Sequence, residues 1–113
     1  MALKRVILEM GAGNDLHGGD YTKAALRAVQ DALHHSSLGF ARALGKDIES
    51  MVVEVTIGTQ APDKVDCDRI ASTLPHGKVS VRSVKGGLDI PDRERGDVAV
   101  IASAAIAVSL DLP

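Results

Sequence analysis

Four segments of the chain have the apolar patterning of β-strands. Residues 3–10 are rich in β-branched and long apolar side chains and stop at Gly11, which predicts a first strand. Apolar and polar residues alternate over residues 51–60 and again over residues 78–85, as they do in strands with one buried face. Residues 97–110 are almost wholly apolar and rich in Val, Ile and Ala, so we interpret them as a buried strand.

Two further segments have helical character. Residues 21–35 are rich in Ala and follow Asp20, a favoured N-cap residue, so they predict a helix. Residues 40–45 either extend this helix or form a second short one. Residues 64–74 predict another short helix, with Asp63 as its N-cap.

The order of the elements is β-α-β-α-β-β, which predicts an α/β (α+β) fold. We expect one domain over residues 1–113, with a mixed sheet and the helices on one face. Because strand–helix–strand connections are almost always right-handed and parallel, the first three strands should end at the same edge of the sheet. Ligands of open α/β sheets bind at such an edge. A ligand site is therefore expected where the loops 11–20, 58–63 and 85–96 converge.

The other face of the predicted sheet is chemically mixed. It is expected to hold Arg5, Glu9, Glu54, Thr56, Ser80 and Arg82. Such a face suits either a solvated surface or a wet interface between subunits. Tyr21 and Phe40 are the only aromatic residues, so the core lacks the large buried area that aromatic side chains bring. Since small cores are often supplemented by self-association, we expect a homo-oligomer, with a trimer favoured.

Charge and composition narrow the class of protein. The 13 basic and 15 acidic residues are interspersed, and no basic block or set of stacking aromatics is present, which argues against nucleic-acid binding. The longest uncharged run, residues 98–110, is too short to span a bilayer. Glu9 interrupts the apolar run near the start, which argues against a signal peptide. The single cysteine, Cys67, fits a reducing compartment, so a cytoplasmic location is predicted.

Residues 11–20, GAGNDLHGGD, suggest a phosphate-binding loop at first sight. Gly11 and Gly13 fit the start of a dinucleotide-binding fingerprint. However, Leu16 stands where the third glycine is required, and the acidic residues of the loop would repel a phosphate. We therefore predict no nucleotide cofactor.

The same loop contains Asp15, His17 and Asp20, residue types that bind Zn, Mn or Fe. The set has one imidazole only, and Asp20 has a competing role as a helix cap. The alternative without a ligand is a turn in which Asp15 makes local hydrogen bonds and the glycines permit positive φ. We predict no bound metal.

A polar small-molecule site is the remaining hypothesis for this edge. Asp15 or His17 could act as a general acid or base, and Lys85, at the end of the third strand, could be a catalytic amine. The residues expected to bind substrate are Asp20, Lys23, Arg27 and Gln60. Simpler roles stay open: the cations fit a solvated surface, and Gln60 fits a turn hydrogen bond.

Several stretches of the sequence carry a family resemblance: EMGAGNDLHGGDYTKAALRAVQDAL, VEVTIGTQAPDKVD, LPHGKVSVRSVKGGLDI and the closing ASAAIAV. Together they resemble a small bacterial family of conserved hypothetical proteins over nearly the whole chain. The most specific part is E-M-G-x-G-x-D-L-H-G-x-D-x-T-K-A-A-x-R-A-V, over residues 9–29. The family has no established activity, so the resemblance implies a compact cytoplasmic α/β subunit and carries no catalytic residues over.

The predicted architecture is also similar to the trimeric subunits of bacterial chorismate mutases and of ring-opening cyclic amide hydrolases, which place their sites between subunits. The lysine–serine motifs of the hydrolases are not visible, so this analogy concerns shape only. Two hypotheses follow. The first is a small-molecule-binding protein or an enzyme, a hydrolase or isomerase using general acid–base chemistry, with its site at the strand carboxyl edge near a subunit interface. The second is a non-catalytic oligomeric structural or interaction module.

Overall fold

The computed structural model describes residues 2–35, 48–74 and 76–112. Five strands form one mixed sheet, and two helices lie on one of its faces. The elements are β1 (Ala2–Asp15), α1 (Tyr21–His34), β2 (Val52–Thr59), α2 (Cys67–Ala71), β3 (Lys78–Lys85), β4 (Leu88–Asp92) and β5 (Asp97–Leu112), with 3₁₀ turns at Ile48–Ser50 and Pro62–Lys64. The predicted α+β class, with a mixed sheet and helices on one face, is confirmed. The helical segment predicted over 40–45 lies outside the described residues.

Strand β5 is the centre of the sheet. It pairs antiparallel with β1 on one side and with β2 and β4 on the other, while β3 adds parallel to β2. Because β1 and β2 both run antiparallel to β5, strands β1, β2 and β3 run in the same direction, as predicted. Their last residues, Asp15, Thr59 and Lys85, therefore lie toward the same edge of the sheet.

The hydrophobic core lies between the sheet and the helices. Every second residue of β5 from Val100 to Leu110 is buried, and so are Val53, Val55 and Ile57 of β2. Helix α1 packs mainly on β1 and β5, with the buried side chains of Ala24, Ala25, Ala28, Val29 and Ala32. Neither helix within the described ranges combines the length and hydropathy needed to cross a bilayer.

The sequence predicted that the first strand stops at Gly11. In the structure, β1 continues to Asp15. The two glycines serve the packing of the helix on the strand. A Cβ on Gly11 would lie 2.5 Å from the carbonyl oxygen of Ala28, and a Cβ on Gly13 would lie 2.5 Å from that of Ala24. The glycines therefore allow the backbone of α1 to approach the strand where no side chain fits.

The prediction of a loop over residues 86–96 was wrong. These residues contain β4 and a hairpin turn to β5. The chain crosses the end of β2 at Gly87, where φ is +61° and a Cβ would lie 2.9 Å from the carbonyl oxygen of Gly58. Pro91 misled the prediction because proline is rare in sheets. It is tolerated in β4 because this strand pairs only with β5 among the described strands, and edge strands accept proline.

The helix predicted over 64–74 is shorter, and Asp63 is not its N-cap. Val65 is extended, with φ −91° and ψ 125°, so the 3₁₀ turn before it ends there. The Asp66 backbone nitrogen donates to Thr22 Oγ1 at 2.9 Å, and the Asp66 side chain caps α2 by accepting from the Arg69 backbone nitrogen at 3.1 Å. The tertiary contact with Thr22 fixes the position at which α2 begins.

The face of the sheet opposite the helices is here called the open face. The register places the side chains of Arg5, Glu54, Thr56, Ser80 and Arg82 on it, as predicted. Glu9 is the exception, because it lies opposite Ile106 and so shares the helix-covered face. A register shift between Arg5 and Ile7 turns β1 over and puts Glu9 on that side.

Candidate functional site

The predicted loop 11–20 is reduced to a short turn between β1 and α1. Asp15, at the end of β1, is only 4% exposed and accepts a hydrogen bond from the Asp20 backbone nitrogen at 2.9 Å. The Asp20 side chain in turn accepts from the Lys23 backbone nitrogen at 3.0 Å and caps α1, as predicted. Gly18 and Gly19 have positive φ, which the tight turn requires.

Two cations of α1 flank the buried carboxylate of Asp15. Lys23 Nζ is 3.8 Å and Arg27 Nη1 is 3.9 Å from Asp15 Oδ1. Arg27 also donates to the Asn14 carbonyl oxygen at 2.7 Å. The structure thus brings four predicted site residues together, with both cations half-exposed at the surface. Their contacts with one another join the end of β1 to the start of α1.

His17 lies apart from this group. Its ring Nδ1 is 3.3 Å from Asp97 Oδ2, and its side chain is exposed beside the β4–β5 hairpin. Asp15 and Asp20 meanwhile have the local partners of a turn. Within the described ranges, no three metal-ligand side chains come together. The side chains of Asp15, His17 and Asp20 therefore do not converge on a common metal position in this structure.

Gln60 and Lys85 lie at the same edge but are not arranged around a common centre. Gln60 Nε2 donates to the carbonyl oxygens of Gly86 and Gly87 at 3.0 and 3.2 Å, so it holds the crossing from β3 to β4. This is the turn hydrogen bond that was the simpler alternative for Gln60. Lys85 pairs with Thr59 in the β2–β3 register, and its side chain is exposed.

The sequence did not reveal the contact between Tyr21 and Asp89. Tyr21 Oη donates to Asp89 Oδ2 at 2.5 Å, and Lys64 Nζ lies 5.9 Å from the centre of the tyrosine ring. The hydrogen bond to Asp89 raises the pKa of Tyr21, and burial and the carboxylate charge raise it further. The alternation of Leu88, Asp89 and Ile90 could have indicated that Asp89 lies in a strand, but not that it contacts Tyr21.

The open face holds most of the exposed apolar surface of the described chain. Seven large hydrophobic side chains are exposed there or beside it, from 41% for Val84 to 69% for Met10. Six of them belong to the open face by their register: Leu3, Leu8, Met10, Val84, Leu88 and Ile90. The seventh, Leu16, follows β1 in the turn. The sequence predicted the polar members of this face but not its exposed apolar side chains.

A cavity of about 370 Å³, here called the trough, lies on the open face. Its lining residues are Arg5, Leu8, Glu54, Thr56, Ser80, Val81, Arg82, Ala105 and Ala107. Ala107 lies between Leu8 and Glu54 in the strand register, so small side chains of β5 are flanked by longer ones on β1 and β2. This difference in side-chain length produces the concavity.

The family model described as "Conserved hypothetical protein (Lin0512_fam)" matches residues 5–108. The chain belongs to this family. A solved structure from Nostoc punctiforme, described as an FtsZ-like protein of unknown function, is similar to this Lin0512 chain with 34% sequence identity. The match covers 99% of both chains with a TM-score of 0.87. No curated protein matches at a comparable level of significance.

Proposed function

We propose that this member of the Lin0512 family is a self-associating subunit whose open face is the contact surface between copies. The observation that carries the proposal is the concentration of six exposed apolar side chains on one sheet face. Exposed apolar side chains that gather on one surface commonly mark protein interfaces. The turn after β1 supports the same hypothesis, because its polar residues cap and anchor α1.

The proposed occupant of the open face is a second copy of the chain. An apolar patch is complementary to itself, and a twofold axis brings the same patch of two subunits together. The face also carries charges of both signs, with Arg5 and Arg82 on its edge strands and Glu54 and Asp111 on the inner ones. A facing copy can therefore bring opposite charges together, while the apolar side chains pack around them. A twofold contact of this kind gives a dimer, whereas the trimer favoured by the architectural analogy requires a contact between two different patches.

The test is the mass of the protein in solution at micromolar concentration, measured by light scattering after size exclusion. We expect twice the 11.8 kDa chain mass for this twofold contact, and three times that mass would instead support the trimer of the architectural analogy. The variant Met10→Lys places a charge in the apolar patch and should give the single-chain mass with an unchanged circular dichroism spectrum. Gln30→Lys is the control, because it adds the same charge at an exposed position of α1, on the opposite side of the sheet. A single-chain mass for the wild type contradicts the proposal.

A second candidate function retains the small-molecule site at the strand carboxyl edge. Its support is that Asp15, Lys23 and Arg27 lie together there and that both cations remain half-exposed. Such cations can hold a carboxylate substrate, and the reaction would be hydrolysis or isomerisation by general acid–base chemistry. A panel of small carboxylates and cyclic amides should raise the melting temperature, and Arg27→Ala should remove that effect. A panel without any effect on the wild type contradicts this candidate.

A further inference from the structure

The trough differs from the rest of the open face in its chemistry. Around it the exposed side chains are apolar, whereas the trough brings together Arg5, Glu54 and Arg82 with the hydroxyls of Thr56 and Ser80. Its volume of about 370 Å³ is within the range of small-molecule sites, roughly 300–1,000 Å³. A few polar groups above a small apolar floor are typical of such sites.

The charged groups of the trough have few partners within the folded chain. Arg82 Nε donates to Thr56 Oγ1 at 3.1 Å, which directs the guanidinium toward the middle of the sheet. Within the described part of the chain this is the only hydrogen bond or ion pair of Arg82, and neither Arg5 nor Glu54 has one involving its side chain. The folded chain thus leaves two guanidinium groups and one carboxylate with free hydrogen-bonding capacity beside one cavity.

The positions of these groups restrict the ligand. Arg5 is on β1 and Arg82 is on β3, so the two cations come from opposite edges of the four-strand path β1-β5-β2-β3. Glu54, on β2, lies between them opposite Ala107. Guanidinium groups bind carboxylates through two parallel hydrogen bonds, and a carboxylate such as Glu54 accepts from an amine or hydroxyl. The floor of Ala105 and Ala107 leaves room for a short carbon chain.

We propose that the trough binds a small organic dicarboxylate that also carries an amino or hydroxyl group. Arg82 and Arg5 each hold one carboxylate, and Glu54 accepts a hydrogen bond from the donor group. The inference rests on the proposed function for one feature only: a second copy on the open face would close the trough and place the ligand between subunits. Binding to the folded chain itself is a separate property.

The experiment is isothermal titration calorimetry of the purified protein with L-glutamate, glutarate and inorganic phosphate. L-Glutamate and glutarate share their two carboxylates and differ in the amino group. We expect both to bind, with L-glutamate the tighter. Arg82→Ala should weaken both by about tenfold, the typical effect of losing a charge-assisted hydrogen bond. Glu54→Gln should remove most of the difference between the two probes. Arg95→Ala is the control, because Arg95 lies in the exposed β4–β5 turn and should change neither affinity.

Three results would overturn the inference: no heat of binding with either carboxylate up to millimolar concentration, equal affinities in the wild type and Arg82→Ala, or binding of phosphate alone. Circular dichroism of each variant separates lost binding from lost folding. Light scattering on the same samples reports the subunit number. If the wild type is a single chain that still binds L-glutamate, the proposed interface fails and the ligand site stands. If the wild type is an oligomer that binds neither carboxylate, the ligand site fails and the proposed interface stands.

Discussion

Gly13 of β1 lies against the backbone of Ala24 in α1, so closely that a Cβ on the glycine would be 2.5 Å from the Ala24 carbonyl oxygen. Backbone atoms within a helix cannot move aside as a flexible side chain can. We expect Gly13→Ala to destabilise the protein by about 3 kcal/mol or more, the upper part of the range for overpacked sites. Urea unfolding monitored by circular dichroism measures this.

The control for Gly13→Ala is Ala12→Ser, on the neighbouring residue of the same strand. The Ala12 side chain is exposed on the open face, and its backbone nitrogen keeps its hydrogen bond to Asp31 Oδ2. The free energy of unfolding should change by less than about 0.5 kcal/mol. If both variants unfold at the same urea concentration as the wild type, the close approach of helix and strand does not have the assigned role.

Asp15 is predicted to contribute more to stability than a surface carboxylate. Asp15→Ala leaves the Asp20 backbone nitrogen without its acceptor and should lower the free energy of unfolding by about 1–3 kcal/mol. Asp15→Asn keeps an acceptor oxygen and should cost less. Thermal and urea unfolding at neutral pH compare the two variants. Equal losses for both would show that the hydrogen bond is not the dominant contribution.

Tyr21 should titrate above the ordinary tyrosine pKa. It is the only tyrosine in the chain, and there is no tryptophan, so ultraviolet absorbance of the phenolate reports it without overlap. The raised pKa follows first from the hydrogen bond to Asp89, then from burial and the carboxylate charge. Asp89→Asn should bring the pKa down toward its usual value of 10.0. An ordinary pKa in the wild type would contradict the observed contact.

The same shift predicts how stability depends on pH. The native protein holds the Tyr21 proton more tightly than the unfolded chain does, so the contribution is complete below the unfolded pKa of about 10. It is lost as the pH rises from there through the higher native pKa. Tyr21→Phe has no such proton and should show a smaller loss of stability in this alkaline range. Denaturant midpoints at a series of pH values compare the two proteins.

Cys67 is predicted to be a slow nucleophile. Burial raises the pKa of its thiol first, and the charges of Asp68 and Asp66 raise it further. The reactive thiolate is therefore scarce at neutral pH. Alkylation by iodoacetamide should be slower than for a free thiol and faster in Asp68→Asn. Asp63→Asn changes an exposed acid outside this set and should leave the rate unaltered.

The predictions from sequence succeeded where local interactions decide the structure. Asp20 caps α1 because its side chain reaches a backbone nitrogen three residues away, and β3 has the bounds that its alternation indicated. They failed where distant segments decide. Gly11 and Gly13 are typical of a loop by their sequence, but they lie in a strand because α1 packs closely against them. Asp66, and not Asp63, caps α2 because its backbone contacts Thr22, 44 residues earlier.

The candidate site shows the same division. The meeting of Asp15, Lys23 and Arg27 followed from strand and helix positions and was predictable. The role of Asp89 depends on Tyr21, 68 residues away, and no local pattern contains that distance. The trough depends on the order of strands, because Arg5 and Arg82 meet one cavity only after β5 has been placed between β1 and β2.

The central position of β5 has a consequence for how the protein folds. Strand β1 has β5 as its only neighbour among the described strands. The segments that form β2, β3 and β4 all lie between β1 and β5 in the sequence. Sheets assembled from such distant pairings form slowly, in milliseconds to seconds. During synthesis β1 therefore emerges with both edges unpaired and remains so until β5 has been made. Over that interval it is exposed to pairing with other chains, a recognised hazard of open strand edges.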